Sequence, residues 1–350
     1  MQDLNTWLDQ IVEETVEPEL PIIDPHHHLW DRPNSPYLLK DIAKDVSTHN
    51  IRQTIFIECG EMYSDNDNID MRVVGETEFA SQIGKMSDED SNITTRIASG
   101  VVGTANLLLG EEVAQVLEAH IAANPDRFKG IRHRAVWLDE RTTNQDQDIL
   151  KNSPTKHINT VDRTPKESML LDKTFRKGFS QLSRYDLTFE GWVYHPQLHE
   201  LYDLAQAFPD TKIILNHLGG PLGTGIYRGK LDEIYPFWKK QIANLAQCKN
   251  IYLKVGGIQM PLNGHDWHKR SVPPTSDELI TVNHDWYMYA IEQFGPERSM
   301  FESNFPVDKQ SCSYNVVWNQ FKKLSMKFSK TERQFLFHDT AMNVYQLEKI

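Results

Sequence analysis

Along most of the chain, short apolar runs alternate with longer stretches in which apolar residues recur every three or four positions. A run of about four to eight apolar residues bounded by polar turns reads as a buried strand, and a 3.6-residue recurrence reads as a helix. The runs are Pro21–Asp31, Ile51–Glu58, Ile97–Val102, Phe128–Arg132, Leu187–Tyr194, Lys212–Asn216, Ile251–Val255 and Ser299–Glu302. Helical spacing fills the intervals: Tyr37–Val46, Met71–Ile83, a face made by Val113, Val116, Leu117, His120 and Ile121 that Pro125 closes, and another made by Phe175, Phe179 and Leu182. Further helices are expected from Leu198 to Phe208, then near 233–247, 277–294, 312–326 and 330–347. Strands and helices in strict alternation predict an α/β fold, a single parallel (β/α)8 TIM barrel over residues 21–350. A doubly wound open sheet is the runner-up. It would carry a Gly-rich phosphate turn after the first strand, and histidines stand there instead.

Some stretches break the rhythm. Residues 1–20 predict an acidic amphipathic helix, with Trp7, Leu8, Ile11 and Val12 on one face and Pro18 as its stop. It is expected to cap the bottom of the barrel, with a subunit contact as the alternative. Residues 84–96 read as a polar loop, and 258–276 as a rim loop. Residues 139–168 are rich in Asp, Asn, Gln and Thr and read as a lid or rim over a site.

In a parallel barrel, chemistry sits where the strands end. The strand ends here carry His26 and His28, Glu58, Arg132 and Arg134, His195, His217, Lys254 and Asn304. His26 and His28 are two apart and share a face, while His27 takes the other. His26, His28 and His217 could form a three-histidine metal site with an open position. His195 is a candidate fourth ligand or substrate contact; equally, it could be tied to a neighbouring loop. Arg132 and Lys254 are candidates to grip an anionic or oxygen-rich substrate, against an internal salt bridge as the plain alternative. Trp192 and Tyr194 are two apart and could line the same side, or pack in the core.

Composition narrows the class. A formal net charge of −12 over 350 residues argues against general nucleic-acid binding. No apolar run approaches the length of a membrane span, and no secretory leader is visible. Cys59, Cys248 and Cys312 are scattered, as expected of reduced thiols in a cytoplasmic protein. The expected partner is a small-molecule substrate, with a homo-oligomer left open.

The run Asp24-x-His26-x-His28 resembles the first-strand motif of the amidohydrolase superfamily. Asn216-His217-Leu218-Gly219-Gly220-Pro221 resembles its sixth-strand histidine and Gly-Pro turn, and Glu302-Ser303-Asn304-Phe305-Pro306-Val307 its eighth-strand motif. The resemblance, from about residue 20 to 345, is to the amidohydrolase-related branch with 2-pyrone-4,6-dicarboxylate lactonases and sugar lactonases. It implies a hydrolase acting on a lactone or related carboxyl derivative. Non-oxidative decarboxylation and a catalytically silent, acid-binding barrel are the alternatives. It implies either a divalent metal, Zn or Mn, or metal-free action. The family's eighth-strand residue is normally Asp, serving as base or ligand. Here it is Asn304, which can orient a water or substrate but not take its proton. Glu58, Glu302 and Asp308 are the candidate replacements, and Glu58 ranks first as a strand-end carboxylate. His26, His28, His217, Asn304 and Glu58 are therefore the expected catalytic set, with Arg132, Lys254, His195, Trp192 and Tyr194 around the substrate.

Overall fold

The computed structural model describes residues 3–33, 35–138 and 165–349. Eight strands form one parallel sheet in sequence order: β1 Ile22–His27, β2 Ile51–Ile57, β3 Arg96–Gly103, β4 Phe128–Ile131, β5 Thr188–Gly191, β6 Ile213–Leu215, β7 Ile251–Gly256 and β8 Ser299–Glu302. The first and last strands meet just beyond their ends. His27 bridges Phe305 in parallel, the Asn304 N–H donates to His26 O (3.0 Å), and the His28 N–H donates to Phe305 O (2.7 Å). The result is a TIM barrel.

The helices are α1 Leu4–Leu8, α2 Leu39–Val46, α3 Val74–Glu89, α4 Val113–Ala123, α5 Lys173–Phe179, α6 Leu198–Ala207, α7 Leu231–Ala246, α8 Ser276–Phe294, α9 Tyr314–Leu324, α10 Lys330–Gln334 and α11 Thr340–Val344. Outward strand residues such as Phe56, Val101, Phe189 and Phe301 join the helices in the larger core. Inward residues Ile23, Ile55, Ile57, Val102, Ile214 and Met300 fill the barrel itself. The C-terminal turn adds Met342, Val344, Tyr345 and Leu347 to that inner cluster, so the chain's end plugs the barrel from below.

Three expectations about the elements are corrected. The N-terminal helix spans only Leu4–Leu8, and Val12 is 88 % exposed. Polar contacts override helical spacing beyond Leu8: the Glu13 carboxylate accepts from Ser276 N and Oγ (both 2.7 Å), and Asn319 Oδ1 accepts from Val16 N. The segment is therefore a strap across α8 and α9 rather than a cap on the barrel's bottom. The expected loop at 84–96 is helical as far as Glu89, because Ser87 is buried on the inner face of α3. The expected last helix, 330–347, divides at a π turn, Phe335–Asp339, which seats Leu336 and Phe337 in the core. Most of the expected lid, 139–164, lies outside the described residues.

Candidate active site

Strand β1 delivers its histidines through an irregularity. Its pairing with β2 shifts register between Asp24 and His27, where Pro25 offers no N–H. Ile23 lies in the inner cluster, and after the shift His26 faces the interior too. His27 points the other way, Nε2 against Thr54 Oγ1 (2.9 Å) and its ring edge-on to Phe56. Asp24 locks the seam. It accepts from Ser303 Oγ (2.5 Å), Ser303 N (3.1 Å) and Tyr314 Oη (2.9 Å), and burial raises its carboxyl to about 6.

The structure brings His26, His217 and Glu302 together. All three are buried, and one ligand atom from each lies within 4.8 Å of the others. His217 Nδ1–H donates to Glu302 Oε1 (2.7 Å), and the His217 main-chain N–H reaches the same oxygen (3.2 Å). Glu302 Oε2 lies 2.8 Å from His26 Nδ1 but has no aligned hydrogen bond, and His26 Nε2 has none either. The sixth-strand turn makes this pose possible, with positive φ at His217 (50°) and Leu218 (54°). Gly257 clears the space: a Cβ there would lie 1.9 Å from His217 Nδ1, and its φ of +63° suits glycine.

His28 stands beside His26, ring centroids 5.0 Å apart, but outside the three. Its Nδ1–H donates to Ile57 O (2.8 Å), which leaves Nε2 as the acceptor of a neutral ring. Burial, with Arg132 nearby, holds the His28 imidazole well below its ordinary pKa. Burial does the same to His26, assisted by the Lys254 charge.

Two expected substrate contacts are engaged inside the protein. Lys254 is fully buried, donating to Glu190 Oε2 (2.8 Å) with its Nζ 3.3 Å from His26 Nδ1. Glu190 also accepts from Asn216 Nδ2 and, through its other oxygen, from Tyr345 Oη. Arg132 gives Nε to Glu58 Oε1 (2.7 Å) and Nη2 to Glu58 O (2.5 Å). Arg134 gives Nε to the same Oε1 (3.2 Å). Glu58 is thus engaged by two guanidiniums rather than by the histidines. The carboxylate that meets the histidines is Glu302.

Asn304 has φ +55° and donates Nδ2–H to Asp308 Oδ1 (2.9 Å). Trp192 borders the cluster, edge-on to His217 with centroids 4.6 Å apart, and Tyr194 lies against Trp192. His195 is turned away. Its Nδ1 accepts from Leu222 N (3.2 Å) and its ring lies edge-on to Tyr227, so the loop-tied arrangement is the one formed. Burial lowers it to about 4. Sequence reading missed Glu190, Asn216 and Tyr345. Alternation along Leu187–Tyr194 puts Glu190 opposite Phe189, and a carboxylate inside an apolar strand was the available signal.

The residues present suit a divalent cation. A buried carboxylate oxygen and a buried imidazole nitrogen without hydrogen bonds are the donors a cation would satisfy. Among the described residues no helix is long and apolar enough to cross a membrane, and the three cysteines are free.

Comparison with known proteins now adds to the geometry. An amidohydrolase family model matches residues 23–347. An uncharacterised protein, y4mH, of Sinorhizobium fredii is 30 % identical, covering 94 % of this chain and 99 % of that protein. L-fucono-1,5-lactonase of Burkholderia multivorans is 25 % identical over half of this chain and 57 % of its own length. The fold is shared with a zinc-bound amidohydrolase of Burkholderia multivorans (TM-score 0.68, 19 % identity, 94 % and 100 % of the two chains). It is also shared with a putative 2-pyrone-4,6-dicarboxylic acid hydrolase of Pseudomonas putida (0.62, 15 %, 97 % and 100 %). A third such structure is the 5-carboxyvanillate decarboxylase of Novosphingobium aromaticivorans with manganese (0.52, 12 %, 95 % and 97 %). The family match spans nearly the whole barrel and includes every residue of the histidine–carboxylate cluster, and the chain belongs to the amidohydrolase family.

Proposed function

We propose that the chain is a hydrolase that opens a lactone or related cyclic ester of an acidic or oxygen-rich small molecule. The observation that carries this reading is the buried His26–Glu302–His217 cluster at the strand ends. The likeness to a lactonase over half of the chain supports it. His26, His217 and Glu302 would hold a divalent ion, which when bound polarises a carbonyl and acidifies water.

The chain's own residues have separable tasks. Glu302 orients the His217 ring by fixing the proton on Nδ1, so Nε2 is left as an acceptor. His28 presents Nε2 in the same way, held by Ile57 O. That unprotonated Nε2 is the acceptor available to the proton of an attacking water. Water oxygen adds to the ring carbonyl carbon, the ring C–O bond breaks, and the ring oxygen takes a proton, leaving a hydroxy acid. Asn304 cannot serve as the base; its amide holds Asp308 and orients polar groups. Trp192 shields the His217 side from solvent.

The test is a panel of sugar and pyrone lactones and aromatic acids, read by acid release and by carbon dioxide. Acid release from lactones without gas is expected, and is lost in His28→Gln. Carbon dioxide from aromatic acids, with no lactone opening, would replace this reading by a decarboxylase.

A further inference from the structure

We infer that the groove between α8 and α9 is a recognition site for an extended acidic segment, and that its second occupant is the N-terminal strap of another copy of this chain. Two copies would exchange straps, each filling the other's groove. Three observations carry this. First, the groove reads main chain, as a peptide site does. Asn315, Asn319 and Lys322 stand at i, i+4 and i+7 on one face of α9. Asn315 Nδ2 donates to Glu13 O (2.7 Å), Asn319 Nδ2 to Glu14 O (2.9 Å) and Lys322 Nζ to Glu17 O (2.9 Å). In return the Val16 N–H donates to Asn319 Oδ1 (2.9 Å).

Second, charge selects the segment. The Glu13 carboxylate meets the start of α8, accepting from Ser276 N and Oγ (both 2.7 Å) and from Asn319 Nδ2 (3.0 Å). Lys323 Nζ lies 2.7 Å from the same Ser276 Oγ and adds a positive charge there. Glu17 pairs with Arg333, whose Nη1 donates to Oε1 (3.0 Å). The groove therefore fits two acids four residues apart on an extended main chain. The strap of a second copy offers that chemistry identically.

Third, the strap is joined to the barrel by a strained corner. The Leu20 N–H returns to Glu17 O (3.1 Å), and Glu17 holds φ +42°, a left-handed backbone that a residue with a Cβ adopts at a cost. Pro18 and Pro21 stiffen the same corner. Among residues 3–20 only Trp7 and Leu8 are buried, so polar bonds hold most of the strap and little apolar surface resists its release. Opening the corner into an extended hinge relieves the strain at Glu17 and carries the strap to a second copy, where its groove contacts form again.

Light scattering on the native full-length chain, incubated at about 0.01–1 mM, is expected to show a dimer that grows with concentration. Exchange is read by mixing a Thr15→Cys chain with an isotope-labelled Asn315→Cys chain, because Thr15 Oγ1 and Asn315 Oδ1 lie 3.2 Å apart across the strap and its groove. The native cysteines are buried and do not compete. The mixed disulfide in the dimer should exceed roughly tenfold the level found when the exposed Lys85→Cys on α3 takes the place of Asn315→Cys. Glu17→Gly accepts the positive φ without strain and should lower the dimer fraction roughly tenfold. A native chain that stays monomeric over the whole range overturns the inference. So does a dimer whose mixed chains cross-link no better than the Lys85→Cys control, or one that Glu17→Gly leaves unchanged.

Discussion

Glu302 illustrates how one side chain does several jobs when it is buried. It fixes the His217 ring, approaches His26 and braces the strained His217 backbone through its N–H. Glu302→Gln would set an amide against the Nδ1–H of His217 and remove the negative charge. The fold should persist, because the amide is nearly isosteric. Divalent-metal retention after dialysis and lactone turnover should each fall roughly 10–100-fold. Unchanged retention and turnover in a folded variant would show that the cluster does not depend on this carboxylate. Glu302 ends β8 two residues before the neutral Asn304 amide, and it is Glu302 that meets the histidines while Asn304 meets Asp308.

At the scale of elements, the barrel's floor is wired to its site. The turn after α11 places Tyr345 inside the barrel, where its hydroxyl donates to Glu190, which in turn holds Lys254 beside His26. Burial pushes the Tyr345 phenol far up, so it stays a donor throughout the accessible pH range. Tyr345→Phe leaves one Glu190 oxygen without that donor in a fully buried setting. The expected cost is about 1–3 kcal/mol of stability, read by urea unfolding. A Tyr345→Phe variant as stable as native would mean that the plug works by packing alone. The N-terminal strap is a second case in which polar contacts outrank periodicity. Glu13 accepts from Ser276 at the start of α8 and from Asn319 on α9, so the chain lies extended across the two helices.

At the scale of the whole molecule, buried ionisable groups set the response to acid. Among the described residues, seven histidines are held below their ordinary pKa, chiefly by burial: His26, His27, His28, His49, His195, His265 and His268. His27 and His49 are lowered to about 3. Such a group is neutral in the folded protein and protonates on unfolding. Its contribution is intact above pH 6.5 and is lost as pH falls from there toward the folded value. Among the described residues, four carboxyls, Asp24, Glu76, Glu200 and Asp308, are raised by burial and act in the opposite sense, favouring the folded state as pH falls. The histidines outnumber them, so the melting temperature should decline from pH 7 to pH 5, with net proton uptake on unfolding. Calorimetry in buffers of different ionisation enthalpy measures both. A melting temperature that is flat or rises over that range would reverse the balance.

The alternation of apolar runs with helical spacing determined the barrel, because each βα unit shows its period locally and a parallel strand must be covered by a helix. The strand ends were legible for the same reason: His26, His28 and His217 arrive where local pattern puts them. Other features depended on contacts between distant parts of the chain. Strand alternation could not foresee the shifted register at Asp24–His27. Nor could it show that Glu58 would be met by arginines from β4 while Glu302 met histidines from β1 and β6. Lys254 read as a substrate contact because it ends the seventh strand, with an internal salt bridge as the alternative, and only closure of the barrel supplied the Glu190 that makes its burial tolerable. Period and composition are properties of neighbours in sequence. The pairing of buried charges is decided by which strands the closed barrel sets side by side.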